Sequence, residues 1–137
     1  MKATAPTPLF KKLNLGEHDE IVVLDAPESF ETELGRLKGV KILRNPKSPK
    51  AVKFALAFAV TQAQLDRGSA MLAKASEGDS ILWFAYPKGT SKRYSCEFNR
   101  DNGWGVIRGL GFESVRQVAI DDDWSALRFR RVEFVKS

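Results

Sequence analysis

Residues 21–30 have the sequence IVVLDAPESF, which joins a short apolar run to the start of a helix. Residues 21–24 are uniformly apolar and mostly β-branched, which is typical of a strand buried on both faces of a parallel sheet. Asp25 and Glu28 have the spacing of a capping box, and Pro27 suits a first helical turn. The stretch therefore predicts a buried parallel strand followed by a helix that begins after Asp25.

The same alternation of apolar run and amphipathic segment continues along the chain. Thr61 and Gln64 form a second potential capping box, directly after an apolar run. The pattern predicts further buried strands at 40–43, 54–60 and 81–86, and helices at 9–13, 26–39, 61–75 and 104–110.

The last third of the chain differs from this pattern. Residues 88–99 are polar and are predicted to form a loop. Strands are expected at 114–120 and 126–135, and their short connection makes them antiparallel. The prediction is an α/β fold: a three-layer sandwich with a mostly parallel, Rossmann-like sheet and a C-terminal antiparallel hairpin. We expect a flexible tail at 1–8 and a single domain at 9–137.

Composition excludes several classes of protein. The chain has 137 residues, 43% of them hydrophobic and 28% charged, so it can form a core without disulfides or metal. Its single cysteine excludes a disulfide framework, and the absence of an apolar stretch near 20 residues argues against a membrane partner. With no apolar signal core near the start, we expect a cytoplasmic protein. The net charge of +5 favours anionic partners only weakly.

Ligands of such sheets bind at the carboxyl ends of the strands, which directs attention to three loops. The first follows residue 24, the second begins after residue 43, and the third is a basic, hydroxyl-bearing segment after residue 86. The candidate ligand-binding residues in these loops are Asp25, Glu28, Arg44, Lys88, Thr90, Ser91, Lys92 and Arg93.

Each loop also has a purely structural interpretation. No glycine lies between Gly16 and Gly35, so the first loop lacks the close backbone approach of dinucleotide sites and could be only a helix start. Arg44 stands where a ribose-binding site needs a carboxylate; it could pair with an anion or be exposed to solvent. The third loop lacks the phosphate-loop spacing and could be a solvated basic segment.

No catalytic or metal-binding set is evident. The carboxylates at 121–123 are consecutive in a tight turn, where pairing with the basic loop is a better interpretation than metal binding. His18 has no evident partner. Cys96 lacks a neighbouring base, although Lys92 and Arg93 could lower its pKa. We therefore expect no catalytic residue, no metal and no cofactor.

Three stretches, APESF at 26–30, LWFAYPK at 82–88 and AIDDDWSALRF at 119–129, resemble a family of small uncharacterised bacterial proteins that carries a domain-of-unknown-function label. The likeness covers about residues 10–131. More remotely, the order of elements resembles a trimmed class I S-adenosylmethionine methyltransferase fold, which ends in an antiparallel hairpin after a helix. In that comparison, Asp25 occupies the place of the acidic residue after the first strand, and one strand–helix unit is missing.

A complete core with no recognisable catalytic set favours a non-catalytic binding or interaction protein on a degenerate methyltransferase-like scaffold, which is our first hypothesis. The alternative is a methyltransferase-like enzyme that acts on an anionic ligand in the crevice at the strand ends. A third hypothesis is weak nucleic-acid binding, the least favoured, through Arg44, Lys47, Lys50, Lys88, Lys92 and Arg93. The partner stays open between an anionic small molecule and a second copy of the chain paired through the edge of the hairpin.

Overall fold

The computed structural model describes residues 7–47 and 51–135. The described helices are α1 (Pro8–Lys12), α2 (Glu28–Gly35), α3 (Gln62–Ala75) and α4 (Gly105–Gly109). The described strands are β1 (Glu20–Leu24), β2 (Lys41–Leu43), β3 (Val52–Phe58), β4 (Ser76–Pro87), β5 (Phe112–Ala119) and β6 (Trp124–Arg131). A 3₁₀ turn, Val132–Phe134, follows β6.

All six strands form one sheet with the order β2-β1-β3-β4-β6-β5. The first four in this order are parallel to one another, whereas β6 runs antiparallel to β4 and to β5. The predicted α/β fold, with a mostly parallel sheet and a C-terminal antiparallel hairpin, is confirmed. Because β1 is followed by β2 on one side and flanked by β3 on the other, the order reverses between β1 and β3.

Helices cover the sheet on both faces. One face buries Phe10 of α1 and Phe30 of α2 against the sheet, and the other buries Leu65 of α3 and Ile107 of α4. Alternate residues of the long central strand β4 serve the two cores, as the two-residue period of a strand requires. The indole Nε1 of Trp83 in β4 donates to the carbonyl of Leu13 at 2.8 Å, which fixes the end of α1 to the sheet.

The two predicted helix starts have different outcomes. The capping box of Thr61 and Gln64 is present at the start of α3. The predicted capping box of Asp25 and Glu28 is wrong. Pro27 is the N-cap of α2 and makes no side-chain cap hydrogen bond. Asp25 has a φ of 56°, in the left-handed region, whereas an N-cap residue has extended backbone.

Several predicted boundaries are also wrong, for three physical reasons. Helix α2 ends at Gly35 rather than at Gly39, because glycine is a poor helix former. Strand β4 starts at Ser76, before the apolar run at 81–86; its first residues are polar and mostly exposed, so no apolar pattern marks them as part of the strand. Strand β6 ends at Arg131, because the chain turns into the 3₁₀ segment there.

The predicted tail at 1–8 falls largely on residues 1–6, which lie outside the described residues. Thr7 and Pro8 belong to α1, since the Thr7 side chain accepts from the amide of Phe10 and Pro8 is the first helical residue. The division into a tail and one domain stays a prediction. No described helix is long and apolar enough to span a membrane.

Candidate functional site

The carboxyl ends of the four parallel strands lie along one edge of the sheet, and the predicted loops therefore meet there. Asp25 follows β1, Arg44 follows β2, Thr61 comes shortly after β3 and Lys88 follows β4. This placement confirms the geometric premise of the sequence analysis. It does not by itself show that any of these residues binds a ligand.

A cleft of about 370 Å³ lies where the strand order reverses, between the ends of β1 and β3. We call it the switch-point cleft. Asp25 and Arg44 line it, whereas Glu28, the exposed first residue of α2, does not. Its described lining is Leu24, Asp25, Arg44, Asn45, Pro46, Ala57, Phe58, Gln64, Arg67, Gly68 and Met71.

The turn after β1 is made without glycine. Asp25 adopts a positive φ of 56°, a conformation that costs a non-glycine residue roughly 1 kcal/mol but that aspartate tolerates better than most. Pro27 then fixes the entry into α2. The turn therefore presents an aspartate side chain to the cleft at a place where a glycine would present bare backbone.

Arg44 is held by an acidic neighbour that the sequence analysis did not identify. Its Nη1 and Nη2 each donate to a carboxylate oxygen of Glu31 at 2.8 Å. These hydrogen bonds lower the pKa of Glu31 and raise the pKa of Arg44. Arg44 is thus engaged with α2 rather than free to bind a ligand. Nothing in the sequence signals this pair, since its members lie 13 residues apart on different elements.

Arg67 is a second residue that the sequence analysis missed. It is exposed on α3 and lines the switch-point cleft. Its position one turn after Gln64 of the capping box was the available signal, because residues three apart share a helix face.

A larger cleft, of about 740 Å³, lies beyond the carboxyl end of β4 and is called the loop cleft here. Lys88, Thr90 and Ser91 line it, as the sequence analysis expected for a ligand loop, but exposed Lys92 and Arg93 do not. Its described lining is Tyr86, Pro87, Lys88, Gly89, Thr90, Ser91, Tyr94, Ser95, Cys96, Phe98, Asn99, Arg100, Asp101, Gln117 and Ser125.

The basic loop is fixed to the hairpin turn by Ser91 and Asp123. The hydroxyl of Ser91 donates to Asp123 Oδ1 at 2.8 Å and accepts from the amides of Arg93 and Tyr94. The amide of Lys88 donates to the carbonyl of Asp123 at 2.8 Å. The acidic turn therefore contacts the basic loop, as expected, but through a hydroxyl and a backbone amide rather than through an ion pair.

Two titratable side chains in the loop cleft stay protonated at neutral pH. Burial raises the pKa of Tyr86, whose hydroxyl oxygen accepts from Nε2 of Gln117 at 3.0 Å. Burial also raises the pKa of Cys96, so the expectation that Lys92 and Arg93 could lower it is wrong. Tyr86 is therefore a hydrogen-bond donor toward the cleft, and the Cys96 thiol is a weak nucleophile.

One wall of the loop cleft is joined to the first turn of α3. The amide of Gln62 donates to Oε1 of Glu97, and its side-chain Nε2 donates to the carbonyl of Gly103 at 2.7 Å. Gly103 has a φ of 102°, and a Cβ there would lie 2.6 Å from Cβ of Phe98. Only glycine fits this turn, and the two hydrogen bonds of Gln62 fix this wall of the cleft to α3. Within 7–47 and 51–135, no group of three metal-ligating side chains converges.

The sheet order, the C-terminal hairpin and the cleft at the strand reversal define the class of fold: it is that of the class I S-adenosylmethionine-dependent methyltransferases. No family model matches the chain, and no curated protein matches it in sequence. The likeness is to solved structures.

An S-adenosylmethionine-dependent methyltransferase of Aquifex aeolicus superposes with a TM-score of 0.61 at 14% identity, covering 93% of this chain and 89% of the other. The N-methyltransferase NodS of Bradyrhizobium japonicum WM9 superposes with a TM-score of 0.56 at 12% identity, covering 90% and 92%. A putative type 11 methyltransferase of Sulfolobus solfataricus gives 0.54 at 13% identity, covering 92% and 79%. At these identities the likeness establishes the fold, and activity has to be argued from the clefts.

Proposed function

We propose that this protein is a small methyltransferase-type enzyme that binds S-adenosylmethionine in the switch-point cleft and acts on an anionic substrate at the same edge of the sheet. The observation that carries the proposal is the switch-point cleft itself. In open α/β sheets, ligands bind where the strand order reverses, at the carboxyl ends of the strands. This chain has a cleft of about 370 Å³ there, on a sheet of the methyltransferase type.

The lining of this cleft fits the chemical groups of S-adenosylmethionine. Asp25 could accept hydrogen bonds from the ribose hydroxyls, and Arg67 could bind the carboxylate. Leu24, Phe58 and Met71 offer apolar surface to the adenine ring. When bound, S-adenosylmethionine would supply the methyl group; the residues of this chain would bind and orient it.

The switch-point cleft differs in two ways from a glycine-rich cofactor site with a carboxylate after the second strand. Arg44 follows β2 in place of a carboxylate and is paired with Glu31. Asp25 is then the one carboxylate among the described residues of the cleft. The glycine-free turn holds that carboxylate at the cleft through its positive φ. The proposal therefore depends on Asp25 more than it would in a glycine-rich site.

The charge of the loop cleft supports an anionic substrate. Lys88 and Arg100 line it together with the single carboxylate of Asp101. The hydroxyl of Tyr86 can donate to an anion as well as accept from Gln117. A carboxylate or phosphate on the substrate would satisfy Lys88 and Tyr86 together.

Calorimetric titration with S-adenosylmethionine and with S-adenosylhomocysteine tests the proposal. We expect binding by the unaltered chain and at least a roughly tenfold weaker affinity in Asp25→Asn, because a charge-assisted hydrogen bond contributes about 1.5–3 kcal/mol. Asp122→Asn is the matched control, since Asp122 is an exposed carboxylate of the hairpin turn outside this cleft. The proposal would be refuted if neither S-adenosylmethionine nor S-adenosylhomocysteine bound to the unaltered chain.

The non-catalytic hypothesis remains the second candidate, and a specific observation favours it. The Cys96 thiol stays protonated, and His18 lines neither the switch-point cleft nor the loop cleft. A radiolabelled-methyl transfer assay with small carboxylates and phosphates as acceptors separates the two candidates. Binding of S-adenosylmethionine without transfer to any acceptor would favour a binding protein.

A further inference from the structure

Three arginines lie together on the hairpin, away from both clefts. Arg116 of β5 and Arg128 of β6 are direct cross-strand partners, so their side chains share one face of the sheet. Arg130 lies two residues further along β6 and therefore on the same face. We call Arg116, Arg128 and Arg130 the arginine cluster.

This face is the one that packs against α1. The Cα partner of Arg128 on β4 is Trp83, whose indole donates to the carbonyl of Leu13 at the end of α1. Nη1 of Arg116 reaches Oδ1 of Asn14, the next residue, at 3.4 Å. The cluster thus has a floor of two strands and a wall formed by the turn after α1.

The carboxylates near the cluster do not balance its charge. Asp79 is bonded to Arg130 by two hydrogen bonds of 2.7 and 2.6 Å. Glu113, the cross-strand partner of Arg130, is bonded instead by Arg108 at 2.9 Å. Arg116 and Arg128 have no carboxylate partner among the described residues.

Arg128 is the least satisfied member. Its Nε is buried and has no hydrogen-bond partner in the described part of the chain. Desolvation lowers the pKa of Arg128; the charge of Arg130 lowers it further, the charge of Asp79 opposes this, and the charge of Arg116 adds to the lowering. Like charges directly opposite on neighbouring strands destabilise a sheet. Two facing guanidinium groups without an ion-pair partner among the described residues are therefore a cost to stability that a bound anion would offset.

We propose that the arginine cluster is a binding site for inorganic phosphate or a small phosphate monoester, held between the guanidinium groups of Arg116 and Arg128. Phosphate suits the site because its several oxygens can accept from two guanidinium groups at once, and the planar guanidinium binds phosphate in a bidentate manner. The site is separate from both clefts and stands independently of the proposed enzyme activity.

Thermal unfolding in sodium phosphate and in sodium chloride at equal ionic strength tests this site. At a tenfold excess of phosphate over its dissociation constant, we expect a midpoint about 5 °C higher than in chloride. Arg116→Gln should abolish this increment. It should also raise the midpoint in chloride, because it removes a like charge beside Arg128. Arg36→Gln is the matched control, since Arg36 is an exposed arginine at the end of α2 whose side chain is paired with Glu33.

A second measurement keeps the test valid if a variant folds poorly. In the unaltered chain labelled with ¹⁵N, titration with phosphate should shift the Nε–H resonance of Arg128 and slow its exchange with solvent. An equal phosphate response in Arg116→Gln, Arg128→Gln and Arg36→Gln would overturn the proposal. So would an unshifted Arg128 resonance, or a shift caused by an oligonucleotide but not by phosphate or pyrophosphate.

Discussion

At the scale of single residues, position 103 shows how one side chain can be excluded by geometry. A Cβ at Gly103 would lie 2.8 Å from Oε1 of Gln62 as well as close to Phe98. The positive φ adds strain for any other residue. Because Gln62 begins α3 and residues 98–101 line the loop cleft, the glycine lets this wall of the cleft pack against the start of α3.

Replacing this glycine should destabilise the fold. We expect Gly103→Ala to lower the free energy of unfolding by about 3 kcal/mol, because it combines a strained φ with a steric overlap. Urea denaturation measures the change. Gly105→Ala is the control, since a Cβ at Gly105 meets nothing within 4 Å. Equal stability of the two variants would show that the turn relaxes freely.

His18 makes the stability of the fold depend on pH in the mildly acidic range. Burial lowers the pKa of His18, and Lys53 lowers it slightly further, while Asp19 opposes this. The folded state therefore disfavours the protonated imidazole, and the unfolded state binds the proton more readily. Stability from this residue is present above a pH of about 6.5 and is lost as the pH falls below that value.

The unfolding midpoint in urea should therefore fall between pH 7.5 and pH 5.5 in the unaltered chain. The acidic groups whose pKa values are lowered, Glu31 and Asp79, titrate below this window and do not contribute. His18→Gln should flatten the dependence. A slope that is the same in the variant and the unaltered chain would contradict this origin.

At the scale of elements, strand and helix types follow from local sequence, whereas exact ends depend on tertiary contacts. The apolar run at 21–24 forms β1 because a run buried on both faces needs no alternation. The capping box of Thr61 and Gln64 starts α3 because its hydrogen bonds are local. Asp25 and Glu28 have the same spacing but no cap, because Pro27 and a left-handed Asp25 set a different path.

The capping box gives a direct prediction for α3. Thr61→Ala should lower the free energy of unfolding by about 1 kcal/mol, because it removes the acceptor for the amide of Gln64. Thr90→Ala provides the comparison, since Thr90 is an exposed threonine in a loop. Chemical denaturation of both variants measures the difference, and a comparable loss in Thr90→Ala would contradict a specific capping effect.

The loop that follows β4 should loosen when its anchor is removed. Ser91→Ala removes the acceptor for the amides of Arg93 and Tyr94, and it breaks the bond to Asp123. Hydrogen exchange at these two amides should accelerate about fivefold, since one hydrogen bond is worth about 1 kcal/mol net. Unchanged exchange in Ser91→Ala would show that the loop is held by other contacts.

At the scale of the whole molecule, parallel pairing of four strands brings loops far apart in sequence to one edge. The sequence predicted that edge and placed Asp25, Arg44 and Lys88 on it, because strand direction follows from the alternation of strands and helices. The sequence could not predict which of these side chains are already hydrogen-bonded to other parts of the protein. The bonds of Arg44 to Glu31 and of Ser91 to Asp123 join residues that only tertiary structure brings together.

The arginine cluster was beyond sequence reasoning for the same reason. Arg116 and Arg128 are opposite each other only because of the hairpin register, which shifts at a bulge between Ser114 and Arg116. Moving that register by one residue would turn one of the two side chains to the other face. The pairing of strands therefore decides which charges meet.

The most direct measurement of the central claim is an NMR titration of the ¹⁵N-labelled chain with S-adenosylhomocysteine. The account predicts saturable shifts of amides around the switch-point cleft, at Asp25, Phe58 and Arg67, with those of the arginine cluster unchanged. The absence of any shift at millimolar ligand, or shifts confined to residues outside this cleft, would contradict it.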